Sequence, residues 1–144
     1  MLSILIPVYN INCVSLVKKL HEMALLLKSP FEILLADDAS NERIKNENRV
    51  LNQLDECSIF ELETNYGPAF TRNYLAEKAC YPYLLFLDTD TMPIRDNFLS
   101  LYLSYASKQA VCGGFYYQKT NGSVLRYKYG MQVESQPVAE RCKH

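Results

Sequence analysis

Apolar residues fall in two alternating rhythms along the chain. Short unbroken runs appear at Ser3–Val8 (SILIPV), Phe31–Ala36 (FEILLA) and Tyr83–Leu87 (YLLFL), each followed by polar turn residues. Runs of that length predict strands buried on both faces of a sheet. Ser58–Leu62 (SIFEL) alternates and predicts a further strand. Between them the spacing changes to three and four. Leu16, Leu20, Met23 and Leu27 predict a helix over Ser15–Lys28, with Asn12 or Ser15 at its start and Ser29-Pro30 at its end. Asn41–Leu54 predicts a polar surface helix with Ile44, Val50, Leu51 and Leu54 on its weak apolar face. Pro68 suits the first position of a helix running to about Ala79. Phe98, Leu99, Tyr102, Leu103 and Ala106 predict a helix over Asp96–Ser107 with Asp96 as its cap. A strand is expected over Ala110–Tyr117, and Asn121-Gly122 marks a hairpin into Val124–Tyr129. The tail beyond Gly130 is polar.

Strands alternating with helices predict an α/β fold: a three-layer, Rossmann-like, mostly parallel sheet with helices on both faces. In such a sheet, strand ends share one edge, where ligands bind. Here those ends are chemically rich. The first strand runs into Pro7-Val8-Tyr9-Asn10, the second into Asp37-Asp38-Ala39-Ser40, and the Tyr83 strand into Asp88-Thr89-Asp90. Tyr9 and Asp38 offer an aromatic face and an acceptor for a nucleobase. Asp88 suits ribose hydroxyls, and Asp90 a divalent cation, Mg²⁺ or Mn²⁺, shared with a diphosphate. The blander readings are that Asp88 and Asp90 are turn residues and that Asp37–Ser40 caps the next helix, with Ser40 as the cap.

Bulk properties narrow the class. The chain has 144 residues, net charge −1 and 49% hydrophobic content. Neither a basic stripe nor a net positive charge points to nucleic acid as a partner. No apolar run reaches the ~18–20 residues of a membrane span. Five cysteines, Cys13, Cys57, Cys80, Cys112 and Cys142, are widely spaced without CxxC, which fits free thiols rather than a disulfide framework or a zinc site. The location read from these features is the cytoplasm.

Four stretches, SILIPVYN at 3–10, EILLADDAS at 32–40, NYGPAFTRN at 65–73 and LLFLDTD at 84–90, together resemble the first half of a family 2 glycosyltransferase of the GT-A fold. The resemblance covers roughly residues 1–120, read as a nucleotide-sugar-binding half-domain; residues 121–144 are read as a hairpin strand and polar tail leading towards an acceptor half. It implies metal-dependent transfer of a sugar from a nucleotide-diphosphate sugar, a UDP-sugar foremost, to a glycan or lipid-linked acceptor, with inversion. It also implies nucleotide contacts from Pro7, Tyr9, Asn10, Asp38, Arg72, Asn73 and Asp88, and metal contacts from Asp90 and Asp88, with Mn²⁺ or Mg²⁺ as cofactor. Pro68 departs from the basic residue that many relatives carry after the Gly. The resemblance further implies about a hundred more residues, roughly one small domain, carrying the acceptor site and the general base. Glu134 and Glu140 lack the apolar-flanked context of that base, so the catalytic base is unknown from this chain. The expectation is a truncated product that binds donor without turnover. Pairing of two copies through an exposed sheet edge, and peripheral attachment at the inner face of a bacterial membrane during polysaccharide synthesis, are further expectations.

Two other classes compete. A haloacid dehalogenase-like phosphatase also places DxD after an apolar strand, using Asp88 as nucleophile, but that motif opens its fold, whereas here three strands precede it. A receiver-like signalling module has an acidic pair after its first strand, whereas Asp37-Asp38 follow the second.

Overall fold

The computed structural model describes residues 1–107 together with Gly113, Tyr129, Gln132 and Ser135. Residues 1–106 form one compact unit and residues 107–144 a second. The strand and hairpin expected over 110–129, and the boundary at 120, lie outside the described residues, Gly113 and Tyr129 excepted.

In the first unit four strands, β1 (Leu2–Val8), β2 (Phe31–Asp37), β3 (Cys57–Glu61) and β4 (Tyr83–Phe86), form one sheet in the order β3-β2-β1-β4. All three pairings are parallel, with Leu5 opposite Leu34 on one side and Phe86 on the other. The helices are α1 (Val14–Leu25), α2 (Glu42–Asn48), α3 (Pro68–Lys78) and α4 (Phe98–Ser104). They cover both faces, as expected. On one, Ile4, Ile6, Ile33, Leu35 and Leu85 pack with Leu16, Val17 and Leu20 of α1 and Leu99 of α4. On the other, Leu5, Leu34 and Ala36 meet Leu75 of α3. Alternation along β1 explains the division, because successive side chains point to opposite faces.

The structure corrects several local expectations. β4 is not buried on both faces. Tyr83, Leu84 and Phe86 are 41%, 42% and 39% exposed, and Leu85 alone of the strand is buried. Among the described residues β4 is the last strand on its side of the sheet, and α3 lies over β1 and β2, so an unbroken apolar run here marks a half-covered strand. The helix expected over 41–54 is α2 followed by a 3-10 helix at Arg49–Gln53, whose tighter winding turns Leu51 fully into the core and leaves Val50 exposed. Asn41 caps α2, its Oδ1 accepting the Ile44 N–H at 3.1 Å; Ser40 is not the cap. At α4 the N-cap residue is Asn97 rather than Asp96, and it makes no side-chain cap bond. At α1 the N-cap residue is Cys13, while Asn12 Oδ1 accepts the Val14 N–H at 3.0 Å.

Candidate active site

Chain order and strand order together locate a ligand crevice. From β1 the chain steps outward to β2 and β3, then returns to place β4 on the other side of β1. The reversal puts the topological switch point at the carboxyl ends of β1 and β4, where open α/β sheets bind ligands. A cleft of about 460 Å³ opens there. Its walls include Pro7, Tyr9, Asp38, Arg72, Asp88 and Asp90, six of the residues expected to contact nucleotide or metal. Asn10 and Asn73 are not among the lining residues; Asn73 is exposed on α3.

Local geometry explains each placement. The ladder between β1 and β4 continues past the strand, the Leu87 N–H donating to the Leu5 carbonyl at 3.1 Å. Asp88 follows immediately. Its carbonyl accepts the Thr91 N–H at 3.1 Å and the Thr91 hydroxyl at 2.6 Å, closing a turn with Asp90 at its third position. Beyond the turn, Lys19 of α1 donates its ammonium to the Pro93 carbonyl at 2.6 Å. Across the cleft, the Arg72 guanidinium donates to Asp88 Oδ1 at 2.5 Å.

Asp38 is buried at 4% exposure, and both its oxygens are engaged, accepting the N–H groups of Tyr66 and Gly67 at 2.8 Å each. Gly67 has φ +86°, a left-handed conformation that glycine adopts without steric cost. Its carbonyl accepts both the Thr71 N–H and the Thr71 hydroxyl, so β2 and the start of α3 are joined through one turn. A carboxylate has about four acceptor positions, so Asp38 retains capacity for a ligand N–H.

The loops after β1 and β2 are also tied together. The Asn10 N–H donates to Ser40 Oγ at 2.7 Å, and Asn10 Oδ1 accepts from the Asn41 backbone and side-chain nitrogens at 2.8 and 2.9 Å. Asn10 (φ 53°) and Ala39 (φ 60°), one in each loop, have left-handed conformations uncommon for non-glycine residues, though asparagine tolerates them better than alanine. Asp37, 2% exposed, is not among the cleft's lining residues: its Oδ1 accepts the Ser40 N–H at 2.7 Å, while its Oδ2 is buried without a hydrogen-bond partner among the described residues.

Charge on the walls decides what can bind. Among the described residues three carboxylates, Asp38, Asp88 and Asp90, stand against one guanidinium, that of Arg72. A diphosphate would meet net repulsion there unless a cation came with it. Among the described residues no group of three or more His, Cys, Asp or Glu side chains could enclose a metal ion. Exposed oxygen donors at Asp88 and Asp90 fit Mg²⁺ or Mn²⁺, which bind through one or two carboxylates and share phosphate oxygens.

Sequence reasoning missed several lining residues. Asn65, Thr71 and Thr89 lie on the walls; each sits inside a stretch already singled out, so position within the motif was the available signal. Ile11 also lines the cleft and carried no signal, being one apolar residue in a loop. Among the described residues no helix is long and apolar enough to cross a membrane.

Known proteins are similar to this chain in sequence and in fold. The chain is 33% identical over 101 residues to an uncharacterized glycosyltransferase of Haemophilus influenzae, covering 67% of this chain and 39% of that protein. It is 31% identical over 97 residues to an uncharacterized glycosyltransferase of Rickettsia conorii, covering 67% of this chain and 16% of that protein. The chain therefore spans well under half the length of these relatives. In solved structures the fold is similar to S. aureus TarS 1–349 in complex with UDP-GlcNAc (TM-score 0.61, 24% identity, 74% of this chain and 31% of that one). It is also similar to the mannosyltransferase PcManGT of Pyrobaculum calidifontis in complex with GDP-Man and Mn²⁺ (TM-score 0.62, 18% identity, 76% of this chain and 33% of that one). Residues 3–142 match the family described as glycosyl transferase family 2, and with the parallel sheet and its cleft already in view, the chain belongs to that family.

Proposed function

We propose that this chain forms the donor side of a glycosyltransferase that moves a sugar from a nucleoside-diphosphate sugar to a glycan or glycoconjugate acceptor. The observation that carries the proposal is the convergence of Tyr9, Asp38, Arg72, Asp88 and Asp90 from three neighbouring strand ends and one helix on a single cleft. Tyr9 is half exposed and offers a ring for base stacking. Asp38 takes a base N–H with its remaining acceptor capacity. Asp88 accepts from the ribose hydroxyls, and Arg72, held beside it, reaches the phosphates. Asp90, with Asp88, would hold Mn²⁺ or Mg²⁺. That ion would supply positive charge to the departing diphosphate.

The reaction needs an acceptor hydroxyl to attack the anomeric carbon while the bond to the diphosphate oxygen breaks, with the hydroxyl proton passing to a base. Attack opposite to the leaving group inverts the centre. In this reading the base and the acceptor site come from the part of such proteins beyond the stretch matched here. A UDP-sugar is the first donor to test and a GDP-sugar the second, as the structural neighbours hold one of each.

The test is nucleotide binding by the full-length protein. UDP or GDP with Mn²⁺ should raise its melting temperature, and Asp90→Ala should abolish the metal dependence while leaving metal-free nucleotide binding. Acyl-phosphate labelling of Asp88, with no response to any nucleoside diphosphate and metal, would instead favour the phosphatase reading.

A further inference from the structure

The loop that carries Tyr9 and Ile11 to the cleft wall is held from behind, by a side chain that never touches the cleft. Asn48, the last residue of α2, is 3% exposed. Its Oδ1 accepts the Cys13 N–H at 3.0 Å and its Nδ2 donates to the Ile11 carbonyl at 3.0 Å. One amide thus satisfies two backbone groups on either side of Asn12 and fixes the path of residues 11–13. Other side chains of the same region add exposed ties. Asn12 Nδ2 donates to Glu47 Oε2 at 2.9 Å, and Asn41 binds Asn10. Asn48 is the buried member of the set, and a buried polar contact costs most to lose, because the partner left behind finds no water. The loop has reason to need such a restraint: Asn10 occupies a left-handed conformation, which asparagine tolerates but which is still less favourable than the right-handed and extended regions.

We propose that Asn48 is a positioning residue for nucleobase recognition, setting the loop from which Tyr9 and Ile11 face the base. The inference rests on the donor-binding reading above. It assigns to α2, which contributes no lining residue, control over base affinity and base choice. Asp88 and Asp90 follow β4, on the opposite side of β1 from β2, whereas the Asn48 amide bonds to Cys13 and Ile11.

Titration calorimetry on the full-length protein, with UDP, GDP and ADP each in the presence of Mn²⁺, tests this. Asn48→Ala should weaken the preferred nucleotide about tenfold, the equivalent of one lost hydrogen-bonded contact, and should narrow its preference over the other two. Asn48→Asp keeps the acceptor for Cys13 but sets an oxygen against the Ile11 carbonyl, and should shift both quantities in the same direction. Leu51→Ala, which removes a fully buried neighbour, is the control: it should lower the melting temperature without changing the affinity ratio between nucleotides. If the wild-type protein binds none of the three nucleotides, the donor-binding reading itself fails. If it binds, and the Asn48 variants keep wild-type affinity and base preference, or Leu51→Ala loses base preference as they do, the positioning role is overturned.

Discussion

Arg72 Nη2 stands 2.5 Å from Asp88 Oδ1, so the second turn of α3 and the stretch just past β4 meet across the cleft through one ion pair. Both side chains are more than a third exposed, at 38% and 53%. Solvent therefore screens most of the attraction, and the pair contributes within the 0–1 kcal/mol usual for surface ion pairs. Its worth is in geometry. Arg72→Met should change the melting temperature little and weaken nucleotide binding at least tenfold, with a loss that shrinks as salt rises. Thermal denaturation and calorimetry at two ionic strengths separate the effects; a large drop in melting temperature would contradict this.

Asp38 is a different case, because it is buried and accepts two backbone N–H groups. Asp38→Asn keeps the shape but turns an amide donor towards one of them. The expected cost is about 1–3 kcal/mol, that of leaving a buried donor unpaired. Denaturant unfolding should show it with ligand absent, which distinguishes this residue from one that only touches nucleotide.

Ala39 carries a Cβ at φ 60°. Left-handed backbone costs an L-residue about 1–2 kcal/mol, and glycine recovers that less its own loss of chain entropy. Ala39→Gly should therefore stabilise the protein by roughly 0.5–1 kcal/mol, read as a shift in the denaturant midpoint at constant slope.

Burial raises the Cys13 thiol from its ordinary 9.0 to about 12, and burial likewise raises the Cys57 thiol from 9.0 to about 11. A raised acid favours the protonated, folded form. The associated stability is complete below pH 9, the unfolded value, and declines as pH climbs from 9 through 11 and 12. Stability against pH in that window should fall more steeply for the native protein than for a Cys13→Ala, Cys57→Ala double variant. At pH 8 a maleimide should label exposed Cys80 rapidly and spare Cys13 and Cys57 until unfolding, as peptide mass spectrometry would show.

Leu5 and Phe86 are partners in the same ladder, yet one is fully buried and the other 39% exposed. Leu5→Ala should cost about 2–5 kcal/mol. Phe86→Ala should fall well below the 3–5 kcal/mol of a core phenylalanine, by denaturation of the protein as a single chain.

That contrast also shows what sequence can and cannot say. The apolar run at 83–87 identified the strand correctly, but hydrophobicity alone does not tell a strand covered on both faces from one that is only half covered. The strand ends were legible because turn chemistry and carboxylates stand out against apolar runs, and six candidate ligands do meet on one cleft. Tertiary hydrogen bonds were not legible. Nothing local in Asn48 or Ser40 distinguishes them from solvent-facing polar residues, since their partners lie 35, 37 and 30 positions away. Ser40 looked like a helix cap for the same reason: the Asn10 N–H that occupies its hydroxyl comes from another loop.

The junction of β1 with β4 ends on the Leu87 N–H, one residue short of Asp88. The acidic pair is therefore indexed to the ladder by counting, with no spacer to absorb an error. One residue inserted between Leu87 and Asp88 would turn the carboxylates towards the wrong side, whereas the same insertion in the exposed stretch at Glu63-Thr64 would only lengthen a loop. Tolerance to small insertions and deletions should thus be sharply uneven along this chain, lowest at a site whose two carboxylates are themselves exposed.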